Sequence, residues 1–458
     1  MNVKLFRHLP KSISRSIIMS SFAPPINRNM VELDRSFFKK DVPVLAAYFP
    51  QPQHLGKFVK ACQGDIFYVQ SVKHIVPMDN SKAVLLRSDV KQVTDLSAKT
   101  QEIIKEFGIE LKPYTVHLDY SFWKSDEILK SILPEELTND IPSGFSQAGH
   151  LAHLNLRDEY KPYGKLIGQV IMDKNPSVLT VVDKANTIAN KFRTFPLELL
   201  AGEPNYVVEQ SESGCRFKFD FSKVYWNSRL STEHERIISK FKPGEVVGDV
   251  FGGVGPFAIP ASKKDVIVLA NDLNPESYKY LQENIKLNKV DPFIKAYNLD
   301  GREFIRQSPR LLEEWYQKGP IEKKITKRVS AGDNRSQKQV TIIKTDIPRF
   351  YHHYVMNLPD SALTFLDEFV GLYSECPEIK QEPGFKLPMI HVHCFEKFEN
   401  SEDPTPEELH RRVHKRICDL MKFELNFDTM EFHEVRMVSP TKPMFCVSFE
   451  LPEEVAFK

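Results

Sequence analysis

The chain has 458 residues, 41% hydrophobic and 27% charged, with a net charge of +1. That length implies two or three domains, and the charge balance excludes a globally basic nucleic-acid binder, so any such surface must be a local patch. No apolar run is long enough to span a bilayer, and Cys62, Cys215, Cys376, Cys394, Cys418 and Cys446 form no Cys-x-x-Cys pair, which argues against a zinc site and fits a reducing compartment.

Residues 1–30 carry Lys4, Arg7, Lys11, Arg15 and Arg28, no acid, and Leu5, Leu9, Ile13 and Ile17 on one helical face. This is the composition of a mitochondrial presequence; the alternative is a disordered basic tail. Met19 and Met30 near its end offer internal starts, so mitochondrial and cytoplasmic or nuclear forms are expected. Between 36 and 133 come an apolar run at 44–49, a helical stretch at 101–107 and strands at 84–86 and 114–118. They predict a small α/β domain without a catalytic constellation. Residues 134–146 have the proline, glycine and polar content of a linker.

A second unit is predicted over 149–222, with a helix near 166–172, a strand at 178–182 and an alternating, half-buried strand at 215–221. Arg193 stands among aromatics between them; on this stretch alone it reads as a surface residue, with base contact as the alternative. Next, Ser231 suits an N-cap and Glu233 the first helical turn, where the dipole favours an acid. The functional alternative is that Glu233 faces a cofactor cleft, because this helix leads into a first buried strand at 245–249.

After that strand, Gly252, Gly253 and Gly255 predict a turn, with Pro256 opening a helix. Glycines let the backbone approach a ligand, and a helix N-terminus offers unpaired N–H groups. Gly253, Gly255 and Ala258 also satisfy the looser dinucleotide pattern. Asp249, at the strand end, would repel a pyrophosphate, whereas Asp272 ends the next strand at the spacing of a ribose-binding carboxylate. The pair fits the cationic cofactor S-adenosylmethionine better than a dinucleotide; the bland alternative is a βα turn without a ligand.

Asn274-Pro275 caps a further helix, and a third strand at 293–297 leads to Asp300-Gly301, where methyltransferase sheets by analogy place an acid beside adenine. Residues 318–344 are polar and basic (Lys323, Lys324, Lys327, Arg328, Arg335, Lys338) and read as an exposed, solvated insertion, a phosphate contact being the alternative. A fourth strand ends in Asn357-Leu-Pro359, whose amide offers donor and acceptor to a planar nitrogen target. A helix with Leu363, Leu366, Val370 and Tyr373, a strand at 389–393, a helix over 406–423 and strands at 435–438 and 445–449 complete a seven-stranded methyltransferase sheet.

Arg193, Ser228-Arg-Leu-Ser-Thr-Glu233, the run from Asp249 to Phe257, Asn271-Asp-Leu-Asn-Pro275 and Asn357-Leu-Pro359 together resemble the eukaryotic and archaeal tRNA (guanine-N1-)-methyltransferases acting at position 37. The specific motifs cover 149 to the C-terminus, the first domain more loosely. The resemblance implies an α/β chain: a Rossmann-like class I methyltransferase sheet with two smaller N-terminal α/β domains. Its expected parts are a targeting or disordered segment (1–30), a tRNA-recognition domain (36–133), a middle domain (149–222) and a methyltransferase domain (223–458).

The resemblance assigns S-adenosylmethionine to His234, Asp249, Gly253, Gly255, Asp272, Leu273, Asp300, Gly301 and Asn357. It makes Glu233 the general base, Arg193 the holder of guanine O6 and Asn357 a third catalytic residue. Tyr225, Arg229 and Pro359 would place the flipped nucleotide, without a metal. His234 departs from the arginine usual in archaeal relatives. Also implied are a monomer contacting the anticodon stem-loop and outer corner of tRNA, no membrane partner, and a first step toward wybutosine that supports reading-frame maintenance. The alternatives are an aminocarboxypropyl transferase on a modified guanosine, a non-catalytic tRNA-binding relative and, least favoured, a nicotinamide enzyme.

Overall fold

The computed structural model describes residues 22–184, 196–324 and 340–458, and the backbone alone of 325–331 and 335–339. The chain divides into two compact units. The first comprises residues up to Phe145, Ala152–Asp183 and Glu198–Glu203; the second includes Ser146–Leu151 and Pro204–Lys458.

In the first unit, β1 (Lys40–Phe49) lies between β3 (Ser81–Leu85) and β4 (Glu110–Leu118), with β2 (Ile75–Met78) outside β3, all antiparallel. Helix α1 (Ala98–Phe107) is capped by Ser97 and stopped by left-handed Gly108. Helix α2 (Ser125–Ile132) buries Ile128, Leu129 and Ile132.

The core of this unit extends beyond the expected boundaries at both ends. Phe22 and Met30 are buried in it, the indole of Trp123 donates to the Phe22 carbonyl at 2.7 Å, and Arg28 donates to the Lys130 carbonyl at 2.9 Å. Residues 22–30, expected in a targeting or disordered segment, are thus part of the folded unit; Met19 and the rest of 1–21 lie outside the described residues. Strands β5 (Leu151–Leu154), β6 (Thr180–Lys184) and β7 (Leu197–Gly202) are neighbours in another sheet. Helix α3 (Gly164–Lys174) buries Leu166, Ile167, Val170 and Ile171 in the same core as Phe38 and Trp123. The span expected as a middle domain, 149–222, is shared between the two units: the apolar face of α3 packs in the same core as the N-terminal sheet, whereas residues up to Leu151 and from Pro204 onward group with the second unit.

The second unit opens with the hairpin β8 (Val207–Glu212) and β9 (Cys215–Asp220), followed by α4 (Ser231–Ile238). Its main sheet comprises β10 (Val246–Asp249), β11 (Ile267–Asn271), β12 (Ile294–Tyr297), β15 (His353–Met356), β16 (Met389–Phe395), β17 (Glu431–Ser439) and β18 (Lys442–Glu450). Their order is β12-β11-β10-β15-β16-β18-β17, the first five parallel and β18 antiparallel to both neighbours. All four residues of β10 are buried, as a strand covered on both faces requires. Helices α5 (Ala258–Lys263), α6 (Pro275–Asn288), α7 (Gly301–Tyr316) and α8 (Pro406–Met421) complete the alternation, and residues Ala362–Phe369 form a 3-10 helix.

The basic insertion is no loop: β13 (Ile321–Ala331) and β14 (Arg335–Thr345) form an antiparallel hairpin between α7 and β15. Lys323 pairs with Asp265 and lies over the Phe293 ring, so the hairpin leaves the sheet near the starts of β11 and β12.

We predict that Phe22→Ala destabilises the first unit by about 3 kcal/mol, because it empties a buried ring site against Phe67 and Phe122. Denaturant unfolding followed by tryptophan fluorescence checks this; an unchanged first transition would mean that the segment is not integral.

Candidate active site

The turn after β10 is built by its glycines and held by the next strand. Gly253 and Gly255 adopt φ of 53° and 100°, and a Cβ at Gly255 would come within 2.7 Å of Ile259. At Gly253 a Cβ would meet nothing within 4 Å, so this part of the turn faces open space. The amide of Gly253 donates to Asp272 Oδ2 at 2.9 Å and that of Asn274 to Oδ1 at 2.8 Å. The turn continues through Pro256 and Phe257, so α5 starts at Ala258, later than expected from Pro256.

Asp249 is fully buried, and among the described residues no side chain donates a hydrogen bond to its carboxylate; the Phe251 backbone is the one donor that favours its charge. Burial, then the charge of Asp272, push its pKa up to about 8. A buried acid without a side-chain donor suits a cationic ligand and opposes a pyrophosphate.

The neighbouring strand ends form one rim. Asn271 accepts from the Leu299 amide at 2.9 Å and donates to the Val250 carbonyl at 3.2 Å, tying the ends of β10 and β11 to the segment after β12. Asn298 donates to the carbonyls of Asp272 (2.7 Å) and Leu273 (3.1 Å). Asp300 caps α7 by accepting from the Arg302 amide at 2.9 Å, and a Cβ on Gly301 would strike the Phe251 ring at 2.8 Å. Asp272, Leu273, Asp300 and Gly301 are therefore brought together.

Helix α4 supplies the second cluster. The turn Ser228–Leu230 precedes it, with Asn227 as its cap, so Ser231 is the first helical residue and not an N-cap. Glu233 is 4% exposed. Its Oε1 accepts from His393 Nε2 at 2.7 Å and from an Arg236 terminal nitrogen at 2.9 Å, and its Oε2 accepts from Arg236 Nε at 2.7 Å. Burial opposes the charge, but the His393 and Arg236 hydrogen bonds outweigh it and bring the pKa down to about 2. Glu233 is thus ionised at neutral pH.

His234 is buried, donates from Nδ1 to Glu212 at 2.6 Å, and lies edge-on to Phe257, whose ring centre is 6.1 Å from that of His393. Asn357 and His393 follow the last registered pair of β15 and β16, Met356 and Val392, and the Phe395 amide donates to the Pro359 carbonyl at 3.0 Å. Asn357 Oδ1 is buried and has no partner among the described residues. Tyr225 and Arg229 stand exposed before α4. Arg193 lies outside the described residues.

Sequence reasoning missed Arg236, His393 and Glu212. Arg236 was findable, three positions after Glu233 on a helix, and His391 and His393 interrupt an apolar strand at a period of two. Glu233, His393 and Cys446 place possible metal-ligand atoms within 4.8 Å of one another. Arg236 already covers both carboxylate oxygens with positive charge, which makes the group an ion-pair cluster.

Comparison with known proteins gives a consistent picture. A profile of the TRM5/TYW2 methyltransferase domain matches residues 208–313, and one of the TYW2 N-terminal domain matches 125–205. A Candida albicans protein named tRNA (guanine(37)-N(1))-methyltransferase is 77% identical over 446 residues, covering 96% of this chain and 99% of its own. A Saccharomyces cerevisiae protein of the same name is 46% identical, covering 95% of each. The crystal structure of Trm5b from Pyrococcus abyssi shares the fold, with TM-score 0.55 at 24% identity over 89% of this chain and 99% of its own.

The raised pKa of Asp249 predicts a cost to the ligand-free fold. Below the unfolded value near 4 the acid is neutral in both states; the cost grows as pH rises and is complete above about 8. Asp249→Asn should therefore stabilise the free protein increasingly from pH 5 to pH 8 in thermal unfolding; a pH-independent difference would overturn the assignment.

Proposed function

The chain belongs to the tRNA (guanine(37)-N(1))-methyltransferase family, and we propose that Glu233 is the base through which it methylates N1 of that guanosine. The enzyme uses S-adenosylmethionine, which when bound supplies an electrophilic methyl group. The observation that carries the reading is the ionised Glu233 carboxylate, buried against His393 of β16, beside the end of β15 from which Asn357 follows.

Guanine N1 carries a proton at neutral pH and must lose it as it becomes a nucleophile. An ionised carboxylate is an acceptor only, so Glu233 can take that proton. Asn357 offers an Oδ1 without a partner among the described residues to a ring or amino N–H, which supports its role in holding the base. We assign Arg193 to guanine O6, where it would stabilise developing negative charge. Tyr225, Arg229 and Pro359 are assigned to the nucleotide, which must leave its stack to reach a buried base.

For the cofactor, the fit rests on Asp249: its buried carboxylate, which lies against the backbone of Gly252 in the glycine turn, suits a cationic group. Asp272, Leu273, Asp300, Gly301, Gly255 and Asn357 complete the assignment. His234 contributes through Nε2, because Nδ1 is committed to Glu212.

The proposal extends to a monomer whose N-terminal unit reads the outer corner of tRNA while residues 223–458 meet the anticodon stem-loop. It includes action in mitochondria, cytoplasm and nucleus through starts at Met1 and at Met19 or Met30, and on the way to wybutosine.

Transfer from labelled S-adenosylmethionine to tRNA transcripts with guanosine or adenosine at position 37 tests the reaction. Label in N1-methylguanosine from the guanosine transcript alone is expected. Label only in an aminocarboxypropyl group, or binding of both ligands without label, would overturn it. Glu233→Gln should slow single-turnover transfer by about 100-fold or more with cofactor affinity little changed, whereas Asp272→Ala should mainly weaken cofactor binding; a Glu233→Gln enzyme at full rate would remove the base assignment.

A further inference from the structure

The tip of the β8–β9 hairpin reaches α4. Ser213 and Gly214 form its two-residue turn, both at positive φ (48° and 70°), the backbone that reverses two strands tightly. Three contacts hold that tip. Glu212 Oε1 lies 2.6 Å from His234 Nδ1, the Ser213 hydroxyl donates to Glu235 at 3.2 Å, and the Lys263 ammonium, from the end of α5, donates to the Gly214 carbonyl. The first contact differs from the other two. The Glu212 and His234 side chains are only 8% and 4% exposed, whereas Glu235 and Gly214 stand at the surface.

Burial makes this pairing specific. A carboxylate only accepts, so Glu212 takes the Nδ1–H of His234 whether or not the other ring nitrogen carries a proton. Phe257, which closes the glycine-turn run, meets the ring edge-on with centres 4.7 Å apart at 73°. One contact fixes which nitrogen faces the hairpin, and the other fixes the plane of the ring. Among the described residues no hydrogen bond reaches Nε2, the nitrogen left for a ligand. The hairpin is also tied to the glycine turn: Asn284 of α6 accepts from the Lys218 amide of β9 at 2.7 Å and donates to the Val254 carbonyl at 3.2 Å.

We propose that Glu212 positions His234 for the cofactor: by accepting the Nδ1–H it leaves Nε2, and only Nε2, to meet S-adenosylmethionine. This deepens the assignment of His234 to the cofactor and rests on it. Without the acceptor, the ring proton can move from Nδ1 to Nε2, and the ring can turn about its Cβ–Cγ bond so that a C–H edge takes the place of the nitrogen. Glu212 touches neither cofactor nor target base; it acts through His234 and is a positioning residue. The two-residue turn and its contacts to Glu235 and Lys263 hold it at the depth where its carboxylate reaches the ring.

The test is calorimetric binding of S-adenosylmethionine to the full chain, for wild type, Glu212→Met, Glu212→Gln, His234→Ala and the double variant Glu212→Met with His234→Ala. Methionine removes the acceptor at similar volume, whereas the glutamine carbonyl keeps it. Glu212→Met should weaken binding about tenfold, and glutamine should restore it to within about threefold of wild type. In the His234→Ala background the methionine should cost nothing further. Nitrogen-15 spectra of histidine-labelled protein, with the His234 signals identified by their loss in His234→Ala, should show a protonated Nδ1 in the wild type. Undiminished affinity in Glu212→Met, a loss that glutamine fails to restore, an equal loss without His234, or a bare Nδ1 would overturn the proposal. Glu212→Asp, whose carboxylate falls one methylene short, replaces methionine if that variant fails to fold. The two ideas separate: wild-type affinity in His234→Ala would refute the cofactor contact itself, whereas a weakened His234→Ala beside an unaffected Glu212→Met would refute only the positioning role.

Discussion

The site depends on a reversal in the direction of winding beside β10. From this strand the chain moves outward to β11 and β12, then returns to add β15 and β16 on the other side. Loops leaving β10 and β15 therefore part in opposite directions and open a crevice at their carboxyl ends. Asp249, the glycine turn, Asp272, Asp300, Asn357 and His393 all belong to that edge. Asp272 fixes its geometry by accepting from both Gly253 and Asn274, so the turn cannot shift without the end of β11.

Within this frame two buried acids receive opposite treatment. Asp249 has no side-chain donor among the described residues and is pushed up to about 8, whereas Glu233 has three donors and is held at about 2. Environments that drive two carboxyls apart in this way usually separate their roles. One acid lacks a counter-charge that a cationic ligand can supply. The other already has its counter-charge, supplied by Arg236.

The sheet was legible because covered parallel strands read as short apolar runs, and because acids stand at the ends of two of them. The glycine turn and the Asn274-Pro275 cap were legible for local reasons. What escaped depends on contacts far apart in sequence: His393 meets Glu233 across 160 positions. Ser231 was misread because Asn227, four positions earlier, caps a tighter turn that runs directly into the helix. The division at 149 followed linker composition, whereas α3 follows its apolar face into the N-terminal core. The hairpin read as a loop because its sequence is dominated by charged and polar residues, and Val340, Ile342 and Ile343 remain exposed.

That hairpin enters between α7 and β15, near the starts of the parallel strands, whereas the site gathers at their ends. A parallel sheet thus places different physical demands on the two ends of its strands. Length, charge and apolar content can drift on the hairpin without moving a group that meets the reacting base. The same separation makes it a convenient place to attach a fluorophore or an affinity handle to an enzyme whose catalytic edge is closely constrained.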